Sequence, residues 1–241
     1  MKSFFIALQF LSRIHIVQQT VWSDRDFGKA VIWFPIVGMM IGFFLSIVYM
    51  AASYFLSGIY LAIVVVAAWF YITGGLHADG YMDTADGIFS GQNRKRMLEI
   101  MKDSRVGANG VIAFVWLVLL KICFFANDES AVLTLIGVPT AARFGTLISI
   151  FGFPYARKTG LGRAFKEYAP KGALPIGFTL SLLPLVCSGW HYLFLLTAAS
   201  VITFFSDIYI LRKLGGLTGD TYGAVTEFTE MIVLGLLMCI K

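Results

Sequence analysis

The chain has 241 residues, of which 58% are apolar and only 14% charged, and its formal charge is +5. An average soluble domain is about half apolar and about a quarter charged, so this composition excludes a water-soluble globule. The positive balance calls for no nucleic-acid partner, because an uneven distribution of basic loops across a membrane accounts for it.

At the amino end, MKSFFIALQFLSRI is interrupted by Gln9 and Arg13 and has no small-residue cleavage site. It reads as an amphipathic interfacial helix rather than a signal peptide. Seven apolar stretches follow, at about 29–55, 58–76, 106–126, 130–153, 172–188, 190–211 and 222–240, several long enough to cross a hydrocarbon core. The expected architecture is an all-α, polytopic transmembrane helical bundle forming one domain, residues 1–241. Cys123, Cys187 and Cys239 stand alone in apolar segments, a spacing that offers neither a metal site nor a disulfide framework.

Sixteen of the 19 lysines and arginines fall in alternate loops: Lys2 to Lys29, Arg94 to Arg105, Arg157 to Lys171, and Arg212 with Lys213. The intervening loops, near Ser57, at Asn127–Asp128–Glu129 and at Gly189, carry none. Cytoplasmic loops retain basic residues, so the amino terminus is expected inside, with the chain in a bacterial inner membrane.

The stretch Thr73–Gly87 carries three aspartates spaced four and three apart. At about 100° per residue, Asp79, Asp83 and Asp86 project within roughly 60° of one another on a helix. Like charges at that spacing repel, and a divalent cation relieves the repulsion. An oxygen-only donor set suits Mg²⁺, which takes one or two carboxylates together with phosphate oxygens. Gly80 and Gly87 are candidates for close approach by a substrate phosphate or by a neighbouring backbone. His77, two residues before Asp79, would point away from the aspartates on a continuous helix; it is expected in the Gly74–Gly75 turn, either as a general base or as a hydrogen-bonding loop residue. Downstream, Lys102 and Arg105 are the candidates for phosphate binding, whereas Arg94–Lys95–Arg96 reads as a solvated basic loop.

A second acidic segment runs from Gly215 through Asp220 to Glu227 and Glu230. Glu227 and Glu230 lie in an apolar run, where a carboxylate must face the protein interior with a partner. Two partners are open. Either the two segments meet and six carboxylates hold one or two metal ions, or the glutamates pair with the intramembrane cations Arg143 or Lys121.

The segment GGLHADGYMDTADGIFSGQNRKRMLEIMKDSRVG closely resembles the signature of the cobalamin synthase family, as do WFPIVG at 33–38, PYARKTGLGRAF at 154–165 and GGLTGDTYGAVTEFTE at 215–230. The resemblance implies a Mg²⁺-dependent transfer in which a ribose hydroxyl of α-ribazole, or of its 5′-phosphate, attacks adenosylcobinamide-GDP and GMP leaves, with the active site on the cytoplasmic side of the lipid bilayer. It implies Asp79, Asp83, Asp86, Asp220, Glu227 and Glu230 as the acidic set and arginines, with Arg143 and Arg157 as candidates, on the leaving nucleotide. A homo-oligomer is compatible with the sequence. His15 departs from the proline common after the Arg-hydrophobic pair, which touches only the amino-terminal turn. Two rival readings fit less well. A CDP-alcohol phosphotransferase would gather four aspartates in one motif, and a cation-coupled transporter would show inverted repeats and broken helices, neither of which is visible in the sequence.

Overall fold

The computed structural model describes residues 2–17, 22–126 and 131–239. The Asn127–Asp128–Glu129 loop, expected on the outer side, lies outside the described residues. In chain order the helices are α1 (Lys2–Leu11), α2 (Asp24–Ala30), α3 (Phe34–Ser53), α4 (Gly58–Ile72), α5 (Leu76–Phe89), α6 (Arg94–Ile100) and α7 (Ala108–Phe125). There follow α8 (Ala131–Gly152), α9 (Leu161–Tyr168), α10 (Ala173–Ser181), α11 (Leu185–Ser188), α12 (Trp190–Leu214) and α13 (Gly219–Cys239). The protein is all-helical and polytopic, with five helices among the described residues long and apolar enough to cross a membrane, or up to seven if two bent helix pairs each count as one span.

The first bent pair sharpens the sequence reading, which already places a turn at Gly74–Gly75, and the second corrects it. The stretch expected as one span at 58–76 ends at Ile72, and α5 leaves α4 at 90°. Gly74 and Gly75 adopt φ of 66° and 73°, a left-handed backbone that side-chain-bearing residues avoid, so two consecutive glycines turn the chain where a hydropathy window sees continuity. The stretch expected at 172–188 is likewise divided into α10 and α11, and lies at 101° to α9. Two bent helix pairs are therefore present among the described residues.

α2 opens with a capping box. Ser23 Oγ accepts from the Asp26 amide and the Asp26 carboxylate accepts from the Ser23 amide, satisfying donors that the first turn leaves orphaned. One 3₁₀ turn, Val31–Trp33, joins α2 to α3, giving a 30-residue apolar span. α1 buries Ile6, Ala7, Leu8 and Leu11 completely or nearly so, packing beside α2 and α3.

α8 is the central helix, flanked by α3, α12, α13 and α10. Its contact with α3 is backbone to backbone. A Cβ on Gly38 would stand 2.5 Å from the Pro139 carbonyl oxygen, and one on Gly42 would collide with that of Leu135. Pro139 has no amide hydrogen, so the Leu135 carbonyl loses its helical donor; small residues at four-residue spacing let α3 close over it, as membrane helices do where packing rather than the hydrophobic effect drives association.

Candidate active site

α5 and α13 touch through their backbones. A Cβ on Gly80 would lie 2.5 Å from the Asp220 carbonyl oxygen, and one on Gly223 would lie 3.0 Å from His77 Cα. This approach brings the first acidic segment against the amino end of the second. Asp83, half-buried, lies in the electrostatic field of Asp79, Asp220 and Asp86, with Arg157 as the compensating cation. Asp79 is exposed, and neither the Asp79 nor the Asp83 carboxylate makes a hydrogen bond or ion pair among the described residues.

The loops that carry Arg157 and Asp220 are held together by a short parallel pairing. The Ala156 amide donates to the Leu217 carbonyl at 2.7 Å and the Leu217 amide to the Pro154 carbonyl at 2.8 Å. Gly216 permits it, since a Cβ there would stand 2.9 Å from both Ala156 N and Pro154 O. Thr218 and Thr221 then cap α13 reciprocally, each hydroxyl accepting the other's amide at 2.7 and 3.2 Å. Arg157 consequently meets Asp220 at 2.7 Å, an ion pair set at an angle that leaves the guanidinium Nη2 without a hydrogen bond. The Tyr155 ring packs beside that of Tyr222, with centroids 6.3 Å apart, and burial pushes the Tyr155 phenol above its ordinary pKa.

Asp86 has a different task. Its carboxylate accepts the Gly107 amide at 2.6 Å and the Gly110 amide at 2.8 Å, so it closes the amino end of α7, where unpaired amides and the helix dipole favour an anion. Glycine is required at both donors, because a Cβ at 107 or 110 would stand 2.6 or 2.5 Å from an Asp86 oxygen. Gly87 receives Met101, so the space at both Gly80 and Gly87 is filled by protein and not left open for a phosphate.

Glu227 and Glu230 are placed elsewhere. Lys121 Nζ meets Glu227 at 2.5 Å and Glu230 at 2.6 Å, and Arg143 pairs with the other oxygen of Glu230. All four side chains are sealed from solvent. Lys121 also lies over the Trp69 and Phe70 rings at 4.7 and 5.3 Å, and Arg143 Nη2 is 3.4 Å from His77 Nδ1. Two carboxylates face two cations, so this cluster is neutral as it stands, and Lys121 occupies the position between the two glutamates that a metal ion would need. The expectation that Arg143 binds substrate is corrected here, since it is fully buried on Glu230. His77 is corrected too. It is a buried residue of α5 and not part of the Gly74–Gly75 turn, because α5 begins at Leu76 with Gly75 as its cap.

The cationic side of the site is more dispersed. Lys102 is exposed. Arg105 forms a forked pair with Asp103 at 3.0 and 2.7 Å, which raises the arginine pKa and holds the Asp103 carboxyl down at about 2. Arg96, Arg105 and Asp103 line a cavity of about 170 Å³ that reaches Asp86 and Gly107, so Arg105 shares a cavity with Asp86 without pairing with it.

Among the described residues no three His, Cys, Asp or Glu side chains converge on one position. The aspartate group nevertheless fits Mg²⁺ in its chemistry. Asp79, Asp83 and Asp220 supply only oxygen donors and carry more negative charge than Arg157 offsets, and Mg²⁺ ordinarily completes its octahedron with water and phosphate oxygens. The glutamate group, already neutral, does not fit. The sequence leaves this division open between a shared metal and the isolated cations Lys121 and Arg143, because Lys121 and Glu227 are 106 positions apart and spacing alone does not say which helices adjoin.

Comparison with known proteins agrees with the motifs. The chain is 37% identical to the adenosylcobinamide-GDP ribazoletransferase of Acetivibrio thermocellus, over all of this chain and 99% of that protein. It is 36% identical to the enzyme of the same name from Thermoanaerobacter pseudethanolicus, covering 97% and 95% of the two chains, and 35% identical to that of Clostridium acetobutylicum, covering 95% and 92%. No solved structure matches. Residues 3–238 match the family described as cobalamin-5-phosphate synthase, and this polytopic chain is accordingly a transferase of cobalamin synthesis that belongs to that family.

Proposed function

We propose that the chain joins adenosylcobinamide-GDP to α-ribazole, or to α-ribazole 5′-phosphate, in a Mg²⁺-dependent step that releases GMP and yields adenosylcobalamin or its 5′-phosphate. The observation that carries this reading is the seating of Gly80 on the Asp220 backbone, which gathers Asp79, Asp83 and Asp220 beside Arg157. In the reaction a ribose oxygen bonds to the corrinoid-bearing phosphorus, the bond from that phosphorus to the GMP oxygen breaks, and the hydroxyl proton goes to a base. Asp79, Asp83 and Asp220 would hold Mg²⁺, whose charge would neutralise the phosphoryl oxygens as the bonds exchange.

This chain's own residues do the rest. Asp83, half-buried and without a hydrogen-bond partner among the described residues, takes the ribose proton in this reading. Arg157 orients Asp220 and is free to turn one guanidinium edge to the leaving phosphate; guanidinium geometry suits that contact. Lys102 and Arg105 border the approach and supply positive potential. Glu227, Glu230, Lys121 and Arg143 hold α5, α7, α8 and α13 in register, and His77 belongs to that group.

The concentration of basic residues in the loops that include Arg157 and Arg105 supports an inner-membrane location with the amino terminus and active site facing the cytoplasm. The test is to incubate the purified protein with adenosylcobinamide-GDP, α-ribazole and Mg²⁺, with and without chelator, and follow GMP and the corrinoid product together. Metal-dependent appearance of both is expected. Absence of GMP release, or release undiminished by chelator, would overturn the reading.

A further inference from the structure

Arg94, set aside by the sequence as part of a solvated basic triplet, is the first residue of α6 and is exposed. Its guanidinium nevertheless lies flat on Gly215, the residue that caps α12. A Cβ on Gly215 would collide with the guanidinium carbon and one nitrogen and stand 2.7 Å from the other nitrogen. Gly215 has φ of 69°, a conformation that favours glycine.

Gly215 opens the loop in which Leu217 pairs with Pro154 and Ala156, with Gly216 close beside them, and which leads directly to Asp220. An arginine resting there is carried by the same loop that carries an aspartate of the site. Four other guanidinium groups of the basic loops are engaged: Arg157 with Asp220, Arg96 with Glu99, Arg105 with Asp103 and Arg163 with Glu167. Arg94 makes no ion pair or hydrogen bond among the described residues, and it retains its full fork of donors.

A guanidinium without an ion pair, resting against the loop that leads to Asp220, suits a ligand whose phosphates reach past the metal. We infer that Arg94 is a substrate-binding residue that grips the diphosphate of the nucleotide-activated donor, on the side away from Arg157. The inference rests on the function proposed above. The acceptor nucleoside does not contact Arg94, so the effect of its loss is selective.

Steady-state kinetics of Arg94→Gln and Arg94→Lys, with each substrate varied in turn, test this, alongside the affinity of the protein for GDP with Mg²⁺ by calorimetry. The expected result is a rise of about 10- to 100-fold in KM for the GDP-activated donor, the size expected for a lost charge-assisted fork. GDP affinity should fall in parallel, KM for the acceptor should be unchanged, and Arg94→Lys should recover only part of the loss. Lys95→Gln removes the same charge one residue away and should leave every value as in the unmodified protein. Unchanged donor KM and GDP affinity in Arg94→Gln would overturn the inference, as would an equal effect of Lys95→Gln, which would indicate a diffuse field, or an equal rise in both KM values. Failure of the unmodified protein to release GMP would instead overturn the underlying function, and this inference with it.

Discussion

Two acidic groups stand side by side on α13 and differ in every respect that matters for chemistry. At its amino end Asp220 joins Asp79 and Asp83 in a partly open group with one cation, Arg157. Two turns further on, Glu227 and Glu230 are closed off with Lys121 and Arg143. Carboxylates that keep their charge uncompensated at an accessible edge can recruit a metal and phosphates, whereas carboxylates sealed in an apolar bundle must bring their own cations. The same residue type therefore reads as reactive or structural according to whether its charge is already balanced.

The largest effect that would break this contrast comes from the closed group. Lys121→Met leaves two glutamates facing one arginine in a site sealed from solvent, and truncating one member of a buried pair costs about 3–5 kcal/mol. A large drop in thermal stability in detergent is expected. In the same preparation Glu227→Gln should lower stability while leaving Mg²⁺ affinity by calorimetry as it was; a weakened Mg²⁺ affinity would join the two groups into one metal centre.

Next is the open group. Asp83→Asn should reduce turnover by on the order of 10²- to 10³-fold, the usual loss when one preorganised electrostatic group is removed, with thermal stability nearly unchanged. Loss of fold in place of activity would make Asp83 structural. Gly80→Ala tests the seat between the groups. Its new methyl meets the Asp220 carbonyl, and overpacking of this kind costs about 1–3 kcal/mol, so stability and turnover should fall together. The smallest change is expected for Asp86→Asn, which keeps one of the two acceptors for the α7 amides; loss of a cap costs about 0.5–2 kcal/mol. Abolished turnover at full stability would move Asp86 from cap to metal ligand.

Much of the architecture is legible in the sequence because hydropathy is a local property. The long apolar runs of α3, α7, α8, α12 and α13 are contiguous, and the three aspartates announce one helical face by spacing alone. The 90° turn after Ile72 is harder to read, since Gly74 and Gly75 are compatible with either a kink or a span end, and only their left-handed dihedrals decide. The partners of Glu227 and Glu230 were narrowed to two cations and a metal, but charge balance in the assembled bundle depends on which helices adjoin. Asp86 presents the same difficulty. Its spacing from Asp83 places it with the other aspartates, and nothing in that spacing reveals that Gly107 and Gly110 arrive from another helix to occupy its oxygens. Arg94 was set aside because basic triplets at a membrane edge are ordinarily explained by topology.

The two-rung pairing of Pro154–Ala156 with Leu217 also has a temporal meaning. The amides of Ala156 and Leu217 belong to no helix, and each is held only by the opposite loop, so neither can meet solvent unless the loops part. Their hydrogen exchange therefore counts openings of the clasp that sets Arg157 over Asp220, as distinct from fraying of any span. The two protons should exchange at the same rate, and a ligand that bridges the loops should slow both by the same factor, making the backbone itself a clock for the opening and closing of the site.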